Sequence, residues 1–321
     1  MKAVRIHKPG GVEALQYEDI ELPPPGPDAI RVRHTVIGLN FIDTYHRQGL
    51  YPLPLPAVLG SEAAGIVDAV GADVRNVKVG ERIAYCMMRG SYAEAANIPA
   101  WMAVKLPASI SDEVAASALL KGLTARYLLK ATFPVKPGQT IVFHAAAGGV
   151  GLIACQWAKH LGVTVIGTVG SQEKVALAQA SGCTHVLNTR KDDWVARVRE
   201  ITGGAGVPVV YDSIGKDTFN GSLDCLSVRG MLVYFGNSSG AVPAFEPLSL
   251  IKGSFYLTRP TLAHYARNAE ELKETTDDLF AVITSGAVKV AVNQRFKLAH
   301  AAAAHTALQS RETTGATVLI P

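Results

Sequence analysis

The stretch that decides the fold is His144-Ala145-Ala146-Ala147-Gly148-Gly149-Val150-Gly151. It follows a short apolar run, Ile141-Val142-Phe143. It precedes a helical pattern in which Val150, Ile153, Ala154, Trp157, Ala158 and Leu161 share one face. A strand that passes into a helix through small residues alone suits three demands. The chain must turn tightly, the backbone must approach a pyrophosphate, and the helix must lie close against the sheet. The first helical turn then offers N–H groups and the positive end of a dipole to a phosphate. The spacing is Ala-x-x-Gly-x-x-Gly, with Ala145 where the first glycine usually stands.

Beyond this loop the chain alternates. Strand-like runs at 163–167, 185–187, 207–211 and 231–235 are separated by helical patterns at 172–180, 195–201 and 220–226. With 141–144 they make five strands, and 254–257 is a candidate sixth. Strands that are apolar throughout, each followed by a helix, predict a parallel sheet covered on both faces. In front of the loop the first ~120 residues read differently. Short β-like runs such as 30–33 and 65–70 are punctuated by Pro23-Pro24-Pro25-Gly26-Pro27 and by Tyr51-Pro52-Leu53-Pro54-Leu55-Pro56, which predicts a β-rich domain. After Pro260 a long helix at 269–285 and strands at 294–296 and 316–320 resemble the first part again. The expectation is a discontinuous outer domain (1–120 and 261–321) around a dinucleotide-binding domain (121–260).

The second strand of that inner domain bears on which dinucleotide binds. NAD-selective folds place an acid at its end to hold the ribose 2′-hydroxyl. Here the run is Gly167-Thr168-Val169-Gly170-Ser171-Gln172-Glu173-Lys174. No acid closes the strand, while Ser171 can donate and Lys174 brings a cation, which suits a 2′-phosphate. Glu173 is read as facing elsewhere, and NADPH is expected over NADH.

Composition sets the background. Of 321 residues, 48% are hydrophobic and 18% charged, with a net charge of +4, which argues for packed cores and against disorder. No Lys/Arg run directs that charge at a polymer, and no basic-aromatic stripe suits single-stranded RNA. Cys86, Cys155, Cys183 and Cys225 form no C-x-x-C pair and read as reduced, buried thiols of a cytoplasmic protein. No run approaches the ~20 apolar residues of a membrane span.

The motifs taken together carry a resemblance. Gly38-Leu39-Asn40-Phe41-Ile42-Asp43-Thr44-Tyr45, Leu59-Gly60-Ser61-Glu62-Ala63-Ala64-Gly65, Leu120-Lys121-Gly122-Leu123-Thr124-Ala125, the Ala-Gly-Gly loop and Phe235-Gly236-Asn237-Ser238-Ser239-Gly240 occur in order. Along its whole length the chain resembles the zinc-independent quinone oxidoreductases of the medium-chain dehydrogenase/reductase superfamily, which are related to zeta-crystallin. The resemblance implies an α/β protein: a Rossmann doubly wound parallel sheet inserted in a GroES-like β-rich catalytic domain. It also implies NADPH-dependent reduction of a small quinone-type acceptor, and a homodimer formed near 253–257.

For individual residues it implies the following roles. Asn40, Asp43 and Tyr45 face the nicotinamide end, and Lys121 and Thr124 meet the nicotinamide and its carboxamide. Gly148, Gly149 and Val150 hold the pyrophosphate. Gly170, Ser171, Lys174, Thr189 and Arg311 surround the 2′-phosphate, although close relatives carry a Tyr where this chain has Thr189. Phe235, Gly236, Asn237 and Ser238 line the nicotinamide pocket, and Tyr51 borders the acceptor. Several of these residues also have plain structural readings: Asn40 as a turn residue, Asp43 as a surface acid, Tyr45 and Tyr51 as packing aromatics, Lys121 as an end-of-helix cation. Tyr92 and Trp101 read as core.

No metal site is expected. Zinc-dependent members of the superfamily carry a Cys near position 40 and Gly-His-Glu near position 60, whereas this chain has Asn40 and Ser61. Two other activities remain open on the same scaffold: reduction of α,β-unsaturated carbonyls, and a zeta-crystallin-like structural or RNA-binding role.

Overall fold

The computed structural model describes residues 1–311 and 313–321. In chain order the elements are β1 (Lys2–Ile6), β2 (Gln16–Asp19), β3 (Ala29–Leu39), α1 (Phe41–Gln48), β4 (Ala57–Val58), β5 (Glu62–Val70), β6 (Arg82–Cys86), β7 (Ala95–Pro99) and β8 (Val104–Lys105). There follow α2 (Asp112–Tyr127), β9 (Thr140–Phe143), α3 (Gly149–His160), β10 (Thr164–Val169), α4 (Val175–Ala180), β11 (His185–Asn188), α5 (Trp194–Ile201), β12 (Val207–Asp212), α6 (Phe219–Asp224), β13 (Leu226–Tyr234) and β14 (Tyr256–Thr258). The last are α7 (Ala269–Thr284), β15 (Val292–Lys297), α8 (Ala301–Gln309) and β16 (Ala316–Ile320).

The chain divides into two compact units. One holds Met1–Leu123, Ala266–Thr284 and Val290–Pro321; the other holds Thr124–Tyr265 and Ser285–Lys289. The small return of 285–289 to the second unit left no mark in the sequence pattern. Within that unit Gln156 fixes it from both sides, donating to the Lys289 carbonyl at 3.1 Å and accepting from the Lys289 amide at 3.0 Å.

In the first unit, β15-β16-β3-β5-β6-β8 form a sheet in that order, with β7 also paired to β3. A smaller sheet runs β2-β1-β4. β16, from the far end of the chain, pairs antiparallel with β3 through Thr317↔Leu39. The return of the C-terminal segment is therefore a packing requirement. Leu298, Ala301, Ala304 and Leu319 share one buried core with Ile30, Val32, Ile37 and Ile83, and without them that core would lie open.

In the second unit the six strands run β11-β10-β9-β12-β13-β14, all parallel. This is the doubly wound order, which reverses between β9 and β12, so the loop after β9 lies at the topological switch point. β10 is buried along almost its whole length, as strands covered on both faces must be. The candidate sixth strand is present as β14. The helix expected at 172–180 is shorter: Gln172–Lys174 form a 3₁₀ turn and only α4 is α-helical. Trp101 is not core; it is 37% exposed.

Candidate active site

Two groups of residues bear on function, one in each unit. In the second unit, β9 hands the chain to the small-residue loop through His144, which is fully buried. Its hydrogen bonds have one consistent direction. The Asp212 carboxylate can only accept, so the Ser222 hydroxyl donates to it at 2.9 Å. Ser222 therefore accepts from His144 Nε2–H at 3.0 Å, and the Thr168 hydroxyl donates to His144 Nδ1 at 2.8 Å. Burial lowers the His144 pKa and keeps the ring neutral, as this chain requires. The ends of β9, β10 and β12 are thereby tied to α6, which fixes where the loop starts.

Ala145 then takes φ +53, a left-handed conformation that usually falls to glycine. Gly151 meets a steric demand instead. A Cβ there would lie 2.3 Å from the Ala145 carbonyl oxygen, so only glycine lets α3 settle onto the loop. The first helical bond of α3 runs from Leu152 N–H to the Gly148 carbonyl, which leaves the amides of Gly149 and Val150 at the helix mouth ahead of it. These are the groups that hold a pyrophosphate in such a loop.

At the end of β10 a Cβ on Gly170 would meet nothing within 4 Å, so the space beside it is open. Ser171 hydrogen-bonds the Glu173 carboxylate, and with the charges of Lys191 and Lys174 this holds Glu173 below its ordinary pKa. Glu173 thus turns toward Ser171, contrary to the expectation that it faces away. Lys191 is a cation of this corner that the motif reading missed. The Thr189 hydroxyl donates to the Val169 carbonyl at 3.3 Å. Past β13, the Phe235 amide donates to the Asp212 carbonyl at 2.7 Å, and a Cβ on Gly236 would lie 2.6 Å from the Ser213 carbonyl. Asn237 accepts from the Tyr234 hydroxyl, and the Ser238 amide donates to the Ser213 carbonyl.

In the first unit the predicted residues meet in a buried polar cluster. Asn40 precedes α1, and its amide N–H donates to Asp43 Oδ2 at 2.9 Å. Asp43 is fully buried, not a surface acid; it also accepts from the Ser61 hydroxyl at 2.9 Å and the Tyr92 hydroxyl at 3.1 Å. Burial raises its pKa to about 6 even though those donors and the charge of Lys121 oppose the shift. The Asn40 side-chain amide donates to Glu62 Oε2 at 2.9 Å. Glu62 also receives the Leu120 amide at 2.7 Å and the Lys121 ammonium at 3.3 Å. Lys121 stands within α2 and is 6% exposed, so it is not an end-of-helix cation. Thr124 lies one turn further along the same helix, also buried.

Tyr92, expected only as core, bonds Asp43 as well as packing. Its hydroxyl sits 3.0 Å from His305 Nε2, and His305 Nδ1 sits 3.0 Å from Arg47. Arg47 can only donate, so Nδ1 is the bare nitrogen and Nε2–H donates to Tyr92, whose proton goes to Asp43. Burial and the Arg47 charge press the His305 pKa down to about 3. Tyr45 is buried and meets the Tyr51 ring edge-on at 5.4 Å, and His46 meets the same ring at 6.0 Å. Arg311, at φ +61, follows α8 in this unit.

Comparison with known proteins gives concordant results. Residues 26–108 match the alcohol dehydrogenase GroES-like domain, and 149–281 match the zinc-binding dehydrogenase family. The chain is 51% identical to a quinone oxidoreductase of Pseudomonas aeruginosa over all of this chain and 99% of that one. It is 46% identical to a 2-haloacrylate reductase of a Burkholderia species over 99% and 98%. The crystal structure of Escherichia coli quinone oxidoreductase complexed with NADPH superposes with a TM-score of 0.99, at 50% identity and full coverage of both chains.

The matched family is named for zinc, and the donor set here does not fit that ion. At the two positions that carry ligands in zinc-dependent relatives, Asn40 turns an N–H toward Glu62 and Ser61 spends its hydroxyl on Asp43. The Lys121 ammonium lies in the same cluster and would repel a cation. Among the described residues no group of three or more His, Cys, Asp or Glu could hold a metal.

The buried histidine makes a pH prediction. Unfolded, His305 takes a proton near pH 6.5; folded, it takes none until about 3. The unfolded chain therefore binds the extra proton across that window, and stability falls as pH drops. Asp43 acts with the opposite sign, because its folded pKa exceeds its ordinary 3.8. Replacing His305 by Gln, which can still donate to Tyr92 and accept from Arg47, should lower the slope of urea-unfolding stability against pH between pH 6 and 4, leaving the opposing contribution of Asp43 uncovered. The change should approach one proton, about 1.4 kcal/mol per pH unit. An unaltered slope would mean that His305 is charged in the fold.

Proposed function

This chain belongs to the quinone oxidoreductases of the medium-chain dehydrogenase/reductase superfamily, and from that membership we propose that it reduces quinones with NADPH by hydride transfer, without zinc. The observation that carries the reading is full-length identity to quinone oxidoreductases together with the glycine cradle at the mouth of α3. NADPH fits what the chain presents: a helix mouth with leading amides, open space beside Gly170, and the charges of Lys174 and Lys191 acting on Glu173. When bound, NADPH supplies the hydride.

The chain's own contribution is binding, orientation and exclusion of water. Gly148, Gly149 and Val150 take the pyrophosphate. Gly170, Ser171 and Lys174 take the 2′-phosphate, with Thr189 a lesser partner because its hydroxyl is engaged with Val169. Asn40, Lys121 and Thr124 orient the nicotinamide carboxamide. Asp43 holds Asn40, while Tyr45 and Tyr51 border the acceptor. A quinone that gains a hydride becomes a hydroquinone anion. That anion is a weak base that water can protonate, so no side chain is required as general acid.

A second reading, reduction of an activated carbon–carbon double bond, is favoured by the 46% identity to a 2-haloacrylate reductase. One steady-state screen separates the two. Benzoquinones should be reduced faster than enals and enones, with NADPH used better than NADH. Lys174→Ala should raise the KM for NADPH about tenfold while leaving that for NADH nearly unchanged. Faster enone reduction would replace the quinone assignment, and equal losses with both cofactors would remove Lys174 from the 2′-phosphate site.

The proposal extends to a cytoplasmic homodimer. The four cysteines are free and buried, as in a reducing compartment. No described helix is long and apolar enough to cross a membrane. Among the described residues β14 is an edge strand, paired to β13; it exposes Tyr256, and the segments beside it expose Val228, Leu248 and Ile251. The Arg229 amide ties the first of these segments to the Gly253 carbonyl at 2.7 Å. Light scattering should give twice the 34.0 kDa chain mass. Ile251→Asp should shift it toward the monomer; a wild-type monomer at micromolar concentration would rule the dimer out.

A further inference from the structure

We infer that Glu62 is a positioning residue for the reaction: its one carboxylate sets both the carboxamide of Asn40 and the ammonium of Lys121. This rests on the reading above, in which those two side chains meet the nicotinamide end of the cofactor. Glu62 opens β5 and has no exposed surface. Three donors from separate places converge on it: the Leu120 amide and the Lys121 ammonium on α2, and the Asn40 amide at the entry to α1. The slot is also fixed by backbone. A Cβ on Gly38, two residues before Asn40, would lie 2.5 Å from Glu62 Oε2 and 2.1 Å from the Ala116 carbonyl. Glycine at position 38 lets β3, β5 and α2 approach closely enough for one carboxylate to reach all three donors.

The chemistry of the group then dictates two orientations. A carboxylate only accepts, so Asn40 must turn its NH₂ toward Glu62 and its carbonyl away. A neutral neighbour would leave the amide free to flip. Lys121, on a flexible four-carbon stem, is held at a defined place by its ion pair with Glu62 at 3.3 Å. Asp43, itself held by the Ser61 hydroxyl, accepts the Asn40 backbone N–H, so the residue is fixed at both ends. The pair is poorly explained by stability alone, because well-packed apolar residues of similar volume usually do as well as a buried ion pair or better.

The test uses the full chain, NADPH and 1,4-benzoquinone, and compares wild type with Glu62→Gln, Lys121→Met and the double variant. Glu62→Gln should lower kcat by about 10- to 100-fold, as misplacement of a reacting pair does. It should alter the NADPH Kd by less than about threefold, since the phosphate sites are untouched. In the double variant the loss should fall short of the product of the two single losses, because without Lys121 only the part of Glu62 that acts through Asn40 remains to be lost. Should Glu62→Gln fail to fold with an unpaired buried ammonium, the double variant removes both charges of the pair and still gives the comparison. Wild-type turnover in Glu62→Gln, or losses that multiply in the double variant, would overturn the inference and leave the quinone reading standing. Absence of NADPH-driven quinone turnover in the wild-type protein would sink both.

Discussion

Burying the Glu62 carboxylate is tolerable only because three donors, one of them positively charged, are brought to it. An unpaired carboxylate in that position would cost several kcal/mol, so the surrounding chain is bound to supply partners. That requirement shapes the first unit. It holds α2 against the start of β5, demands glycine at position 38, and fixes Asn40 at the entry to α1. Asp43 adds a second buried carboxylate with its own set of donors, and through Tyr92 the demand passes to His305 and Arg47 on α8 and α1. A chemical site and a packing solution are thus one object.

The second unit solves a different problem with the same economy of polar groups. The small-residue loop must start at one place, because a pyrophosphate is read by backbone amides that cannot adjust. His144 fixes that start by joining Thr168 to Ser222 and Asp212, and Gly151 lets α3 close against the loop. Binding geometry is therefore prepared by the core behind the loop rather than by the loop's own flexibility.

Most of the architecture was legible in the sequence because period and punctuation carry it. The alternation after position 141, the apolar strands and the glycine spacing all report local geometry. Asn40, Asp43 and Lys121 were legible through their motifs, but their surroundings were not. Glu62, Tyr92, Arg47 and His305 stand in four separate segments, and nothing in their spacing announces that they meet. The nearest signal was an acid directly ahead of the apolar Ala63-Ala64-Gly65 run, where a strand pattern calls for no charge. The alternative reading of Lys121 as an end-of-helix cation fails because α2 continues for six residues beyond it. Glu173 was misplaced because a hydroxyl two residues away, Ser171, captures it.

The central claim is that this chain moves a hydride from NADPH to a quinone with its own side chains where relatives use zinc. Metal analysis of protein purified without chelator, in the same preparation whose NADPH–benzoquinone turnover is measured, tests it most directly. The account predicts zinc far below one atom per chain and turnover unchanged by dialysis against a strong chelator. One zinc per chain, lost together with the activity, would contradict it.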